Sequence, residues 1–485
     1  MKNLFAILFV LALTVTIDAR AQISGTADSP LFAFPCDINT TLCPDGAMPG
    51  SLIQASDGNF YGSTSSSNDG STQAQGGTIF KISPGGTFTL LFTFRPDQSG
   101  AFLNGTNPSL FAEGTAGFLY GIANGGAHDQ GLVFKISKAG AFKILHSFCV
   151  LANCADGASP VSAVQGSDGN FYGVTQSGGS TQGACAPNGC GTIFRITSAG
   201  AFSVLHQLES NEGRTPLGII QGADGNFYGT TSQGFGGQIS FGAAFRFTLA
   251  GGYSILHNIH YPQKPITGLV QAADGTLYGA SAVLGSANPK FIFSLSPSGA
   301  FQNIFQLTID HGEIPLSNLL QASDGNLWGA AERGGMGGAG TVFAVSPSGA
   351  FLHTVSFGGM SGASPNSLIQ GADGKLYGTA SGGGRDARGN LAFGTVFTID
   401  AKLPPPQPTI AAFTPTHGKV NSQVMLRGNH FVGASAVSVH GVKAAFKVLN
   451  ANFITVIVPQ GATSGAIAIT NPGGTATSAT RFTVE

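Results

Sequence analysis

Charge is what this 485-residue chain has least of. Asp, Glu, Lys and Arg together make up 9% of it, against roughly 25% in ordinary globular proteins. The 22 basic and 23 acidic side chains leave a formal net charge of −1, and no basic stripe gathers anywhere. That excludes electrostatic binding to nucleic acid or to an anionic membrane surface. Tryptophan occurs once. Glu and Lys, which build exposed helices, are scarce, while glycine occurs 73 times, so helix is disfavoured. Apolar residues still reach 42%, enough to bury a core, so the lack of charge does not signal disorder. The surface must be covered mainly by Ser, Thr, Asn, Gln and Gly.

Long apolar runs are also missing, apart from one at the N-terminus. Lys2 precedes the apolar stretch Leu4 to Ile17, which is short for a membrane span, and Ala19-Arg20-Ala21 fits a small-x-small cleavage site. Residues 1–21 therefore read as a secretory signal peptide, with the mature chain starting at Gln22; the alternative is an uncleaved anchor helix. No Cys follows the cleavage site, so a lipoprotein is not expected. Export places the protein outside the cell or on its surface, with no membrane insertion after cleavage. Cysteine is limited to six residues in three close pairs, Cys36 with Cys43, Cys149 with Cys154 and Cys185 with Cys190. An even count in an exported chain favours disulfides within the pairs over metal ligation, which needs four ligands in tetrahedral reach.

What the chain has is repetition. The phrase Leu52-Ile53-Gln54-Ala55-Ser56-Asp57-Gly58-Asn59-Phe60-Tyr61-Gly62 returns around Asp168 to Gly173, Asp224 to Gly229, Asp274 to Gly279, Asp324 to Gly329 and Asp373 to Gly378. A degenerate copy, Thr115 to Gly121, keeps Tyr120-Gly121 and loses the Asp, which makes seven copies. A second phrase follows each copy, as in Gly77-Thr78-Ile79-Phe80-Lys81-Ile82, then Ser83-Pro84-Gly85-Gly86, then Thr87 to Phe94. Each repeat reads as four strands, a to d. Asp-Gly suits a two-residue hairpin turn between a and b, in which both central residues have positive φ, and a Pro-Gly-Gly turn joins c to d. Seven four-stranded meanders point to a seven-bladed β-propeller over residues 22–400; a β-solenoid would have shorter coils. The seventh copy stops at Asp400 without a strand d, and Leu31-Phe32-Ala33-Phe34 matches Leu91-Phe92-Thr93-Phe94. The N-terminal strand is thus expected to complete the last blade and close the ring.

The two phrases in this order resemble the choice-of-anchor tandem repeat proteins of the GloVer type, over roughly residues 30 to 400. That family is characterised by sequence more than by activity, so the resemblance implies a fold and no mechanism. The strand pattern is also similar to the propeller repeats of two-component sensor ectodomains. Leu403-Pro404-Pro405-Pro406-Gln407-Pro408 marks a stiff linker at 401–407. Residues 408–485 then show short alternating strands, the pattern of an immunoglobulin-like β-sandwich. Pro415-Thr416-His417-Gly418 and Gly428-Asn429-His430-Phe431 make this part similar to the IPT/TIG family, whose members usually serve as spacers or contact modules.

No constellation in the chain amounts to a catalytic, cofactor-binding or metal signature. His146, His206 and His257 share one slot in strand d, where Phe92, Phe305 and Val355 stand in other blades; packing or a local hydrogen bond is expected there. One Asp per hairpin falls short of the oxygens that calcium takes, and Trp328 stands where other copies have a core Tyr. The acidic clusters Asp310-His311-Glu313 and Glu209-Glu212-Arg214 lie in d–a loops and read as solvated surface, with glycoside chemistry as the alternative. Strand direction puts the short a–b and c–d turns on one face and the long, varied b–c and d–a loops, with all six Cys, on the other. The sandwich should leave on the short-turn face. The functional expectation is a monomeric secreted or cell-surface protein that binds carbohydrate or protein through the long-loop face. The alternative is an extracellular carbohydrate-active enzyme, a lyase or hydrolase, with a site in the central depression.

Overall fold

The computed structural model describes residues 24–26, 30–37, 42–68, 70, 75–234, 240–283, 289–315, 317–386 and 388–485. The expected signal peptide, residues 1–21, lies outside the described residues. Among them there is no α-helix, only two single 3-10 turns at Ala152–Cys154 and Gly183–Cys185. Each repeat folds as one antiparallel sheet. In blade 1 the strands run from the inside outward as Cys43–Gln54, Phe60–Asn68, Thr78–Ile82 and Phe88–Thr93. Further antiparallel sheets of four or five strands occupy 106–147, 158–207, 214–260, 263–307, 320–356 and 363–399. The last repeat supplies only three strands. Phe32–Pro35 pairs antiparallel with Ala392–Ile399 as its fourth, with Phe32 opposite Val396 and Ala33 opposite Thr395. Just upstream, Ser24–Thr26 lies parallel to Phe351–Ser356, the outer strand of blade 6, so the N-terminal segment ties two blades together.

The Asp-Gly turns differ from the two-residue hairpin that the dipeptide suggests. Ala55 N–H bonds to the Asn59 carbonyl and Gly58 N–H to the Ala55 carbonyl, both at 2.9 Å. Only Gly58 has positive φ, at 77°. The loop is therefore Ser56-Asp57-Gly58, a type I turn closed by a left-handed residue, and only that last residue must be glycine. Asp57 has a different task. Its carboxylate accepts the Asn59 N–H at 3.2 Å and the Tyr61 hydroxyl at 2.8 Å. Asp168–Tyr172, Asp224–Tyr228 and Asp373–Tyr377 repeat that bond at 2.7 to 2.8 Å. Burial, with the neighbouring carboxylate, pushes Tyr172 and Tyr228 up to about 12, so these phenols remain donors.

Each remaining letter of the phrases touches a neighbour. A Cβ on Gly62 would fall on the Phe80 ring of the adjacent strand. The same glycine–phenylalanine approach recurs in every blade, through Gly378 and Phe397, and ties the end of the first phrase to the end of the second. The tyrosine of one blade packs on the Phe or Leu of the next: Tyr120 on Phe171 at 4.1 Å, Tyr172 on Phe227 at 4.4 Å and, across the ring closure, Tyr377 on Phe60 at 4.1 Å. Aromatic pairs of this kind contribute about 0.5–1.5 kcal/mol beyond their area.

The glutamine that ends each inner strand builds a second set of joints. Its amide oxygen accepts a backbone N–H from the preceding blade: Gln221 from Ser167, Gln271 from Ala223, Gln321 from Ala273, Gln370 from Ser323 and Gln54 from Ala372, at 2.7 to 2.9 Å. Its amide nitrogen donates to the glycine carbonyl of its own turn, as Gln221 does to Gly225 at 3.0 Å. Blade 2 departs from the pattern. Glu113 stands in the glutamine's place, accepts Ser56 N–H at 2.6 Å and pairs with Lys138 Nζ at 2.6 Å.

Residues 409–484 form the sandwich. One sheet is ordered Thr409–Thr414, Gln423–Asn429, Phe453–Ile457, Phe446–Val448, and the other Val442–Lys443, Ala436–Val439, Ile467–Asn471, Gly474–Thr477. Alternation along Gln423–Asn429 turns Val424 and Leu426 inward onto Phe431, Ile454, Ile469 and Phe482. The sandwich stands on the short-turn face. Asn450 Nδ2 donates to the Glu113 carbonyl at 2.6 Å and to Gln165 Oε1 at 2.8 Å, filling the joint that blade 2 leaves open.

Two outcomes follow from these joints. Gln221→Ala removes both an inter-blade and an intra-blade bond and should lower stability by about 1–2 kcal/mol, read as an earlier denaturant midpoint; an unchanged midpoint would show that the glutamines do not hold the ring. Deleting residues 23–34 from the mature chain exposes Ala392–Ile399 as an unpaired edge. Size-exclusion chromatography should then show aggregation, or calorimetry a lower melting temperature, whereas a monomer melting like the full chain would exclude the N-terminal strand from the closure.

Candidate binding face and central channel

The short-turn face is uniform, because every a–b turn has the same three-residue geometry. Variation is confined to the opposite face, where rigid strands carry loops of different length and composition. All three disulfides lie there: Cys36–Cys43, Cys149–Cys154 and Cys185–Cys190. The Cys149–Cys154 loop is the most constrained. Cys149, Asn153 and Cys154 all have positive φ, at 64°, 56° and 51°, each a conformation that costs about 1–3 kcal/mol outside glycine. Asp156, whose side chain is 2% exposed, holds the loop from inside by accepting the Val150 and Leu151 N–H groups at 3.2 Å. The result is a fixed tip with two adjacent apolar side chains, Val150 and Leu151, 52% and 55% exposed.

The histidines of strand d are placed one per blade and do not meet. His146 stacks on Phe202 of the next blade at 3.7 Å and bonds to Asp156 at 3.2 Å. His206 stacks on Tyr253 and bonds to Glu212 at 2.7 Å, and His257 stacks on Phe301 at 4.6 Å. Burial holds His146 and His257 below the usual imidazole range, so both are neutral at pH 7. They continue a rim of stacked rings in which Phe92 lies on Phe142 and Phe32 on Phe88. Trp328 is buried core, with its ring over His353.

The two acidic clusters sit at different blade junctions and do not form a pair. Glu212 is occupied by His206 and the Glu209 N–H; burial raises its carboxyl, but these hydrogen bonds outweigh it and hold the group below its ordinary value. Arg214 Nη1 donates to the Ala184 carbonyl at 2.8 Å, anchoring the Cys185–Cys190 loop. In the other cluster, His311 bonds to Thr308 and packs on Phe351 at 4.1 Å. Among the described residues no three His, Cys, Asp or Glu side chains are grouped to hold a metal ion.

Sequence reasoning missed what the long-loop face exposes. Of the thirteen large apolar side chains exposed among the described residues, all but Leu90, Leu249 and Met425 lie at that end of the ring. It also missed a third phrase, Gly-x-x-Pro, at the start of the inner strands, as in Gly105-Thr106-Asn107-Pro108 and Gly157-Ala158-Ser159-Pro160. The residue before the proline has positive φ in Met48, Asn107, Ser159, Thr215 and Ser364, and its N–H reaches the preceding blade, as Asn107 does to the Gly76 carbonyl at 2.7 Å. The channel wall is apolar where the inner strands end: Ile53, Ala112, Val164, Ile220, Val270, Leu320 and Ile369 are half-buried there, each just before the Gln or Glu that ends its strand, and these seven polar residues form a belt around the channel.

Comparison with known families identifies both parts of the chain. The model of the Gloeobacter/Verrucomicrobia repeat matches residues 48–264 and 236–445, and that of the IPT/TIG domain matches 408–484. No curated protein matches the chain significantly. Among solved structures it is similar to an oligogalacturonate lyase in complex with manganese (13% identity, 78% of this chain and 99% of that one, TM-score 0.49). It is also similar to a puromycin hydrolase (13%, 83% and 62%, TM-score 0.48) and to an α-L-arabinofuranosidase from Fusarium graminearum (10%, 77% and 98%, TM-score 0.44). At such identities neither chemistry nor substrate carries over. The matched span and the repeated sheets together place this chain in the Gloeobacter/Verrucomicrobia repeat family, with an IPT/TIG domain at its C-terminal end.

Proposed function

We propose that this is an exported binding protein that docks an extracellular protein through its long-loop face, with the propeller as rigid scaffold and the sandwich as a module on the opposite side. The observation that carries the reading is the concentration of exposed apolar side chains at that end of the ring. The disulfides support an oxidising, extracellular setting. Among the described residues, no helix is long and apolar enough to cross a membrane. A protein partner is favoured over a carbohydrate because the exposed large apolar side chains among the described residues are mostly aliphatic or Met, with Tyr261 and Phe393 the aromatic ones, whereas sugars stack on flat rings. The Cys149–Cys154 tip suits an anchor role, since its order is set before binding and adds little entropic cost on contact.

The test is to present residues 22–485 to an array of extracellular proteins beside a glycan array. A protein partner should lose affinity at least tenfold with the double substitution Val150→Ser and Leu151→Ser, because truncating a buried anchor costs about 2 kcal/mol or more. Removing residues 408–485 should leave that affinity nearly unchanged. Binding to glycans alone, or a protein partner indifferent to the tip but lost with the sandwich, would overturn the assignment of the face.

A further inference from the structure

Between the ring and the sandwich lies a chamber of about 290 Å³. Its floor is Ile53, Phe111, Val164 and Ile369, from the inner strands of four blades, and its roof includes Val432 and Asn450. The roof is fixed from both sides. Asn450 holds it over blades 2 and 3. Across the channel the linker is held by Gln370 Nε2, which donates to the Pro404 carbonyl at 3.2 Å, and by Asn471 Nδ2, which donates to the Pro406 carbonyl at 3.0 Å. A fixed roof over an apolar floor makes the space a preformed site.

The wall chemistry limits what fits. The amides that border it are already engaged: Gln54 and Gln370 in the belt, Gln165 with Asn450, and Asn452 Nδ2 with the Gly428 carbonyl at 3.0 Å. Of the lining side chains, the His430 ring is left to bond a hydroxyl, too few partners for a sugar. Glu113 turns its carboxylate toward Ser56 and Lys138, so its charge is already met. The volume is too small for a folded segment. We propose that this chamber is a binding site for a small, uncharged, predominantly apolar molecule. This site is separate from the long-loop face, and the two stand or fall independently.

The probe is N-phenyl-1-naphthylamine, a neutral aromatic amine that fluoresces in apolar surroundings, added to the mature chain. Saturable binding of one probe per chain is expected, with hydrogen-exchange protection at 111–113, 164–165 and 450–452. Val164→Trp and Ile369→Trp fill the chamber from opposite walls, and each should lower probe affinity at least tenfold at an unchanged melting temperature. Leu249→Ser, at an exposed side chain that does not line the chamber, should bind the probe as the parent does. Absence of saturable binding overturns the proposal. So does protection mapping to 149–154 or other long loops, and so does a folded tryptophan variant with parent affinity. If neither variant folds, the exchange map of the parent chain decides.

Discussion

Everything in this molecule depends on the contact between neighbouring blades. A four-stranded sheet of about 50 residues has two faces to bury and cannot do so alone. Here the burial is shared at most junctions by the same kinds of contact: the tyrosine on the next blade's Phe or Leu, the glutamine reaching back to the preceding blade, and the ring stacks at the rim. Because the last blade meets the first through Tyr377 on Phe60 and Asn366 on the Pro49 carbonyl, no junction is left exposed. Each bond in the set is worth only about 1 kcal/mol; cooperativity comes from their repetition around a closed path.

The exception in the belt determines where the second domain sits. Glu113 cannot donate to a carbonyl as an amide does, and Lys138 meets its charge. Blade 2 also lacks the Asp of the turn, and its joint with blade 3 is completed by Asn450 of the sandwich rather than by its own backbone. A weakened repeat and the docking of the appended domain thus coincide, which fixes the sandwich over the channel instead of leaving it to swing on its prolines. The opposite face remains open, and its variability is affordable because the loops are closed by short disulfides and buried carboxylates such as Asp156.

Much of this was legible in the sequence because the repeats compare one blade with another. A residue kept in six copies, such as the Gln before the turn, keeps one bond six times, from its amide nitrogen to the glycine carbonyl of its own turn, and turn positions, closing strand and cysteine pairs all follow from local pattern. The turn type was misread because Asp-Gly is common to two hairpins, and only the backbone showed that Asp57 serves through its carboxylate while Gly58 alone needs positive φ. The Gly-x-x-Pro phrase was readable but silent, since the partner of Asn107 is a carbonyl in another blade.

What the sequence by itself determined is the repeated unit: periodicity of apolar residues and turn glycines specifies a four-stranded meander, and an N-terminal copy of strand d supplies the strand that the last repeat lacks. Only the tertiary structure decided which surfaces meet. The pairing of Asn450 with Gln165 spans 285 residues, and the two tip residues Val150 and Leu151 look like any apolar pair until Asp156 is seen holding their backbone from below. Contacts between residues far apart in the chain leave no local period, because they depend on where the ring brings strand ends together and not on what stands next along the chain.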